Sequence, residues 1–309
     1  MKFHKNKVHF LYLVILSFVF ISTSALAISA QLPSVRQFMN LPVRVSKYFP
    51  PNPVLGADSN FPIISAQGAL AIDLDSGVPL YEKNSGQPLL PASTTKIVTA
   101  LVSLDVYKSD QILTVGKRVA VVGQKMGLYS GEQMTFENLL YGVLVYSAND
   151  AAETLAQNYP DGYDAFITAM NQKAVDLSMA NSHFDNPVGL DTDGQHSTAR
   201  DLVRASEIAM RNPEFAKMVN TKQVTVTDVT GKSVYNLKNI NELLGVVPGV
   251  MGVKTGWTEN ARENLVTYIE RDGHKVMIAL LGSEDRFGET KELINWIFTN
   301  YQWQEVKLP

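Results

Sequence analysis

Two strand-pair patterns sit at opposite ends of the folded part of this chain, with a long helical stretch between them. Ala69–Asp75 and Val78–Glu82 flank Ser76-Gly77, and Asn264–Glu270 and Lys275–Leu281 flank Arg271-Asp272-Gly273-His274. Each reads as a hairpin, an apolar-rich run on either side of a short turn containing glycine. Between them the apolar spacing is helical. Thr135 precedes the run Leu139, Leu140, Val143 and Leu144, and Tyr163–Leu177 keeps a helical period. Thr198-Ala-Arg-Asp201 has capping-box spacing ahead of Leu202, Ala205 and Ile208, and a closing helix is expected over Glu289–Phe298. Strands from both chain ends must meet in one sheet. The expected fold is α+β: an antiparallel sheet built from N- and C-terminal segments, flanked by helices, with an inserted helical lobe. The cleft between sheet and lobe is the natural site.

The first 65 residues read differently. Lys2, Lys5 and Lys7 form a basic head, an apolar run covers Phe10–Ile21, and Ala25-Leu26-Ala27 ends it with small residues. That is the build of a secretory signal. The same stretch, Val8–Ile28, also has the length of an uncleaved anchor helix. Residues 1–27 are therefore expected to be a signal peptide or anchor, and the rest to lie outside the cytoplasm, secreted, periplasmic or wall-associated. Residues 28–65 carry Pro33, Pro42, Pro50, Pro51, Pro53 and Pro62 without a sustained period, which predicts a semi-extended linker. Residues 66–305 are the expected catalytic domain. Setting aside the three lysines of the head leaves 24 of the 27 basic residues against 30 acidic ones, a net of −6, which argues against a nucleic-acid partner. Cysteine is absent, so there is no thiol nucleophile and no cysteine metal site.

Three short motifs carry the chemistry. Pro91-Ala-Ser-Thr-Thr-Lys96 opens a helical pattern and puts Ser93 and Lys96 on one face, three residues apart. A serine needs a base, and a lysine serves as one when burial or a nearby cation lowers its proton affinity; Lys254 is a candidate cation. Alone, the same pair also reads as a helix N-cap serine with a solvated lysine. Ser147-Ala-Asn149 interrupts apolar flanks, as a helix-to-helix turn or as a site loop. Ser147 could pass a proton to a leaving group and Asn149 could bond a substrate amide. Lys254-Thr255-Gly256 follows an apolar strand pattern over Val250–Val253; it reads as an ordinary strand or as a place where a substrate adds as a strand, with Lys254 and Thr255 on its carboxylate. His183 and His196 lie near Asp185 and Asp191, but no metal-binding spacing appears, and no metal or cofactor is expected.

The ordered set Ser-x-x-Lys, Ser-x-Asn, Lys-Thr-Gly resembles the penicillin-binding proteins and serine β-lactamases. Together with Ser182-His-Phe-Asp-Asn-Pro-Val-Gly-Leu190, Ser197-Thr-Ala-Arg-Asp201 and Gly252-Val-Lys-Thr-Gly-Trp-Thr258, the wording resembles low-molecular-mass D-alanyl-D-alanine carboxypeptidases from about Gln67 to Trp303. The resemblance implies the β-lactamase/transpeptidase-like fold and removal of the terminal D-Ala of peptidoglycan stem peptides through an acyl-enzyme, with β-lactams as inhibitors. It implies Ser93 as nucleophile, Lys96 as its base, Ser147 and Asn149 as the second element, and Lys254, Thr255 and Gly256 on the sheet side. The backbone N–H groups of Ser93 and Trp257 would form an oxyanion hole, and Arg286 would help hold the terminal carboxylate. Many relatives add a C-terminal β domain and an amphipathic helix; this chain stops at Pro309, so a membrane tether is expected only at the N-terminus.

Three other readings stay open. A DD-endopeptidase that cuts cross-links has the same short form. A class A-like β-lactamase needs a water-activating carboxylate, and Asn181–His196 offers Asp185, Asp191 and Asp193 but no glutamate. A non-catalytic receptor for penicillin or muropeptides would not need the Ser93–Lys96 pair.

Overall fold

The structure, a computed structural model, describes residues 49–57 and 59–305. The expected signal or anchor, residues 1–27, lies outside the described residues, as does most of the expected linker. Among the described residues no helix is long and apolar enough to cross a membrane.

One five-stranded antiparallel sheet organises the molecule. Strands β2 (Gly68–Asp73) and β3 (Pro79–Lys83) come from the N-terminal side, and β8 (Val250–Thr258), β9 (Arg262–Arg271) and β10 (His274–Ser283) from the C-terminal side. Their order is β3-β2-β10-β9-β8, so β10 joins the two ends of the chain by pairing with both β2 and β9. Both hairpins read from the sequence are present.

The sheet is covered on both faces. Side chains alternate along a strand, and on β10 Val276, Ile278 and Leu280 enter one apolar cluster while Met277, Ala279 and Leu281 enter the other. On the first side lies α7 (Arg286–Asn300), which inserts Leu293, Ile294 and Ile297. The second side packs on the helical lobe: α1 (Lys96–Val106), α2 (Phe136–Val145), α3 (Asn149–Gln157), α4 (Tyr163–Asp176), α5 (Ala199–Met210) and α6 (Pro213–Val219). Short strand pairs β4 (Ile112–Thr114) with β5 (Gln133–Thr135), and β6 (Gln223–Thr227) with β7 (Val234–Lys238), edge the lobe. Each fully buried aromatic here, such as Phe136 or Phe166, stabilises the fold by about 1.5–3 kcal/mol. The Thr135 and Thr198 hydroxyls accept from the Asn138 and Asp201 amides, but the capping box expected at Thr198 is only half formed, since the Asp201 carboxylate accepts from the Asn181 amide and the Ser182 hydroxyl instead.

The linker boundary needs a correction. The folded part begins before residue 66: β1 (Asn52–Leu55) pairs antiparallel with β11 (Tyr301–Gln304). The Asn60 carbonyl accepts from Trp296 Nε1, Phe61 packs tilted against Trp296 with ring centroids 4.9 Å apart, and Glu289 takes the Ser65 and Ala66 amides. Proline-rich spacing hides a short strand, because proline is tolerated at a sheet edge and only tertiary partners hold the segment.

Candidate active site

Four segments converge beside β8. The first is a 3₁₀ turn, Ala92–Thr95, from which α1 departs at Lys96. Ser93 thus sits one turn before the α-helix rather than inside it. Its hydroxyl caps no backbone amide, which removes the N-cap reading; it lies 2.8 Å from Lys96 Nζ and 3.4 Å from the Val188 carbonyl. The turn is held in place by glycines. Gly189 adopts φ +88°, and a Cβ there would come within 1.9 Å of the Ala92 carbonyl oxygen. A Cβ on Gly256 would lie 3.0 Å from the amide nitrogens of Ser93 and Thr94. Two of the seven non-glycine residues with positive φ among the described residues border this site, Ala92 at 45° and Ser147 at 62°. Such strain persists only where the surroundings enforce it and is concentrated at functional sites.

Lys96 is completely buried. Its Nζ is 2.7 Å from Asn149 Oδ1 and 2.7 Å from the Val188 carbonyl. The Asn149 orientation follows from its other end, where Nδ2 donates to the Val122 carbonyl at 2.7 Å. Both oxygens facing Lys96 can only accept. A neutral amine has two hydrogens, and these two acceptors take both, which leaves the lone pair for Ser93 Oγ. Burial lowers Lys96 from the usual lysine range to about 7, against the opposing pull of Asp150 and Glu153. Burial is thus the main cause; the neighbouring cation considered from the sequence is not what lowers it.

Lys254 forms the second pair. It projects from β8, is buried, and donates to Ser147 Oγ at 2.7 Å and to the Thr255 carbonyl at 2.9 Å. Burial, then Lys96, then Arg286 hold Lys254 well below the ordinary lysine range. Arg286, the first residue of α7, donates from Nη1 to the Gly256 carbonyl at 2.9 Å. Thr255 Oγ1 and Arg286 Nε are buried without a hydrogen-bond partner among the described residues. Trp257 is 61% exposed at the sheet edge. The fold therefore brings Ser93, Lys96, Ser147, Asn149, Lys254, Thr255, Gly256 and Arg286 into one cluster, with Trp257 at its rim. Three basic groups meet there, an arrangement that favours an anionic ligand.

Residues 57–285 match the D-alanyl-D-alanine carboxypeptidase family. The chain belongs to this family, the low-molecular-mass penicillin-binding serine peptidases. It is 30% identical over 246 residues to the D-alanyl-D-alanine carboxypeptidase DacF of Bacillus subtilis strain 168, covering 77% of this chain and 63% of that one. It is 31% identical to a D-alanyl-D-alanine endopeptidase of Pseudomonas aeruginosa PAO1, over 86% of this chain and 87% of the relative. The crystal structure of the Streptomyces K15 DD-transpeptidase is 33% identical, with a TM-score of 0.74, over 78% of this chain and 99% of that chain. The fold is the β-lactamase/transpeptidase-like one that the motifs implied.

Sequence reasoning missed part of the family site in this chain. The Val188 carbonyl is a main-chain group and has no side-chain signature. Asp150, fully buried, accepts from the amides of Met126, Gly127 and Leu128 at 2.8–3.0 Å. It thereby fixes the loop whose Gln124 carbonyl accepts from the Asn149 amide at 2.7 Å. Asn186 Oδ1 accepts from the amides of Val188, Gly189 and Leu190 and shapes the turn against Ser93. Two of the three loop carboxylates weighed for a β-lactamase are engaged elsewhere, and the third, Asp193, is exposed. Asp185 pairs with His183 and Thr192, and Asp191 accepts from Thr258 and Asn260. Among the described residues no cluster of three or more His, Cys, Asp or Glu could hold a metal.

Proposed function

We propose that Ser93 is the acylated nucleophile of a serine D-Ala-D-Ala carboxypeptidase that trims peptidoglycan stem peptides outside the cytoplasm. The observation that carries the reading is the Ser93–Lys96 pair at 2.8 Å, in which both hydrogens of the neutral amine have acceptors. Lys96 takes the Ser93 proton as Oγ attacks the carbonyl carbon of the penultimate D-Ala. The N–H groups of Ser93 and Trp257 receive the developing oxyanion. Lys254, Thr255 and Arg286 hold the terminal carboxylate; its negative charge restores the ammonium form of Lys254 that burial disfavours. Ser147, bonded to Lys254, passes a proton to the departing D-Ala amine, and water then releases the acyl group. Asn149 orients Lys96 and bonds the substrate amide.

A β-lactam follows the same first step and stays on Ser93. Slow deacylation is supported by the absence of glutamate from the Asn181–His196 loop and by the engagement of Asp185 and Asp191.

The test is mass spectrometry of purified muropeptides after incubation. Loss of one alanine from pentapeptides supports the carboxypeptidase. Dimers split to monomers without that loss favour the endopeptidase, and penicillin labelling with neither change favours a receptor.

A further inference from the structure

We infer that Glu153 is a positioning residue for the reaction: its buried carboxylate, one helical turn beyond Asn149, is the counter-charge that stabilises Lys96 once Lys96 has taken the Ser93 proton. The inference rests on Ser93 and Lys96 acting as nucleophile and base.

The geometry begins with α3. Asn149 and Glu153 are four residues apart on it, so their side chains share one face. Asn149 touches Lys96 directly, and Glu153 lies one turn deeper, only 6% exposed. Its Oε1 accepts from the Tyr163 hydroxyl at a long 3.4 Å, and its Oε2 is buried with no hydrogen-bond partner among the described residues. A buried carboxyl so poorly bonded costs free energy unless charge offsets it. Two basic groups act on it electrostatically: Lys96, whose Nζ bonds Asn149 one turn earlier on the same helix face, and Arg118, whose guanidinium lies 4.1 Å over the ring of Tyr163. The other acid near Lys96 is differently placed. Asp150 already accepts from four backbone amides, of residues 126–128 and Ala151. Glu153 thus has hydrogen-bonding capacity that its surroundings leave unused.

The groups acting on the two partners are few. Lys96 faces Asp150 and Glu153 from α3, and Lys254 from β8. Burial raises the Glu153 carboxyl above the usual carboxylate range, and Arg118, the Tyr163 hydrogen bond and Lys96 offset that only in part. In acylation the Ser93 O–H bond breaks and its proton moves to the Lys96 lone pair. The Oγ–carbon bond forms while the carbonyl π pair moves to oxygen. An ammonium therefore appears in a fully buried site. A carboxylate nearby lowers that step and makes Lys96 a stronger base. The proton later leaves with the departing amine as the carbon–nitrogen bond breaks.

The test is the pH profile of the second-order rate of acylation by a fluorescent penicillin. In Glu153→Gln the midpoint of the rising limb should fall by about half a pH unit or more, and the plateau should fall several-fold because a weaker base remains. Glu153→Asp, which keeps the charge, should stay within about 0.2 pH units of wild type. If Glu153→Gln does not fold, Glu153→Met removes the same charge without leaving a polar group, and the same shift is expected. A folded, charge-free variant whose plateau drops while its midpoint stays, or rises, would show a merely structural role and overturn the inference. Wild-type protein that is never labelled at Ser93 would overturn the proposed function itself, and this inference with it.

Discussion

Lys254 Nζ and Ser147 Oγ, 107 residues apart in the chain, meet at 2.7 Å. Lys254 comes from the sheet edge and Ser147 from the break between α2 and α3, so this contact closes the cleft between the sheet and the helical lobe. The sheet supplies a buried lysine whose ammonium form burial disfavours, and the lobe supplies the hydroxyl that it bonds.

Ser93→Ala should abolish covalent labelling by a fluorescent penicillin and lower D-alanine release by at least about 1,000-fold. The folded protein should persist, since Ser93 Oγ caps no helix amide. Labelling that survives the substitution would place the nucleophile elsewhere.

The rate of acylation should rise as pH climbs through about 7, where Lys96 loses its proton. Lys96→Arg should be inactive across the range, because a guanidinium keeps its proton. The same group acts on stability. Its folded-state value lies below the unfolded one, so between about 7 and 10.5 the unfolded chain binds more protons and stability contributed by this site rises with pH. Lys96→Met should flatten that part of the curve in urea titrations run at pH 7 and pH 9.

Gly189→Ala should cost about 2 kcal/mol or more of stability. The added methyl would lie 1.9 Å from the Ala92 carbonyl, at a φ of +88° that side chains rarely adopt. Labelling at Ser93 should fall too, because the same turn presents the Val188 carbonyl to Lys96. A variant with unchanged urea midpoint and unchanged labelling rate would contradict this account of the turn.

Trp303→Ala should loosen β11 while sparing the chemistry. Trp303 stacks on His274 with centroids 4.1 Å apart, donates to Asp73 Oδ2 at 2.8 Å and sits opposite Pro53 across β1. A loss of about 2 kcal/mol is expected, with the acylation rate at 20 °C within twofold of wild type. A large loss of acylation in the folded variant would tie this corner to the active site.

Much of the architecture was legible before any coordinates. The apolar-rich runs around Ser76-Gly77 and Asp272-Gly273 announced their hairpins, because strand propensity and turn chemistry are local. Thr135 and Thr198 announced two helix starts for the same reason. The strand β1 was not legible: Pro53 and its neighbours have no period of their own, and they are ordered only by β11 and α7, nearly 250 residues away. The active site divides in the same way. Ser93, Lys96, Ser147, Asn149 and Lys254 stand out from residue type and spacing, because the candidate roles require particular side chains. Their charge states do not. The proton affinity of Lys96 is set by complete burial and by two carbonyl-type acceptors, one of them the main chain of Val188, which any residue would offer. Glu153 has no signature in the sequence; its burial belongs to the fold. The sequence by itself determined the two hairpins, the helical stretch between them, and which side chains are able to react. Only the tertiary structure decided which of them are dry, which atoms face one another, and where a proton can rest, because burial and distance belong to the packed chain and not to any segment of it.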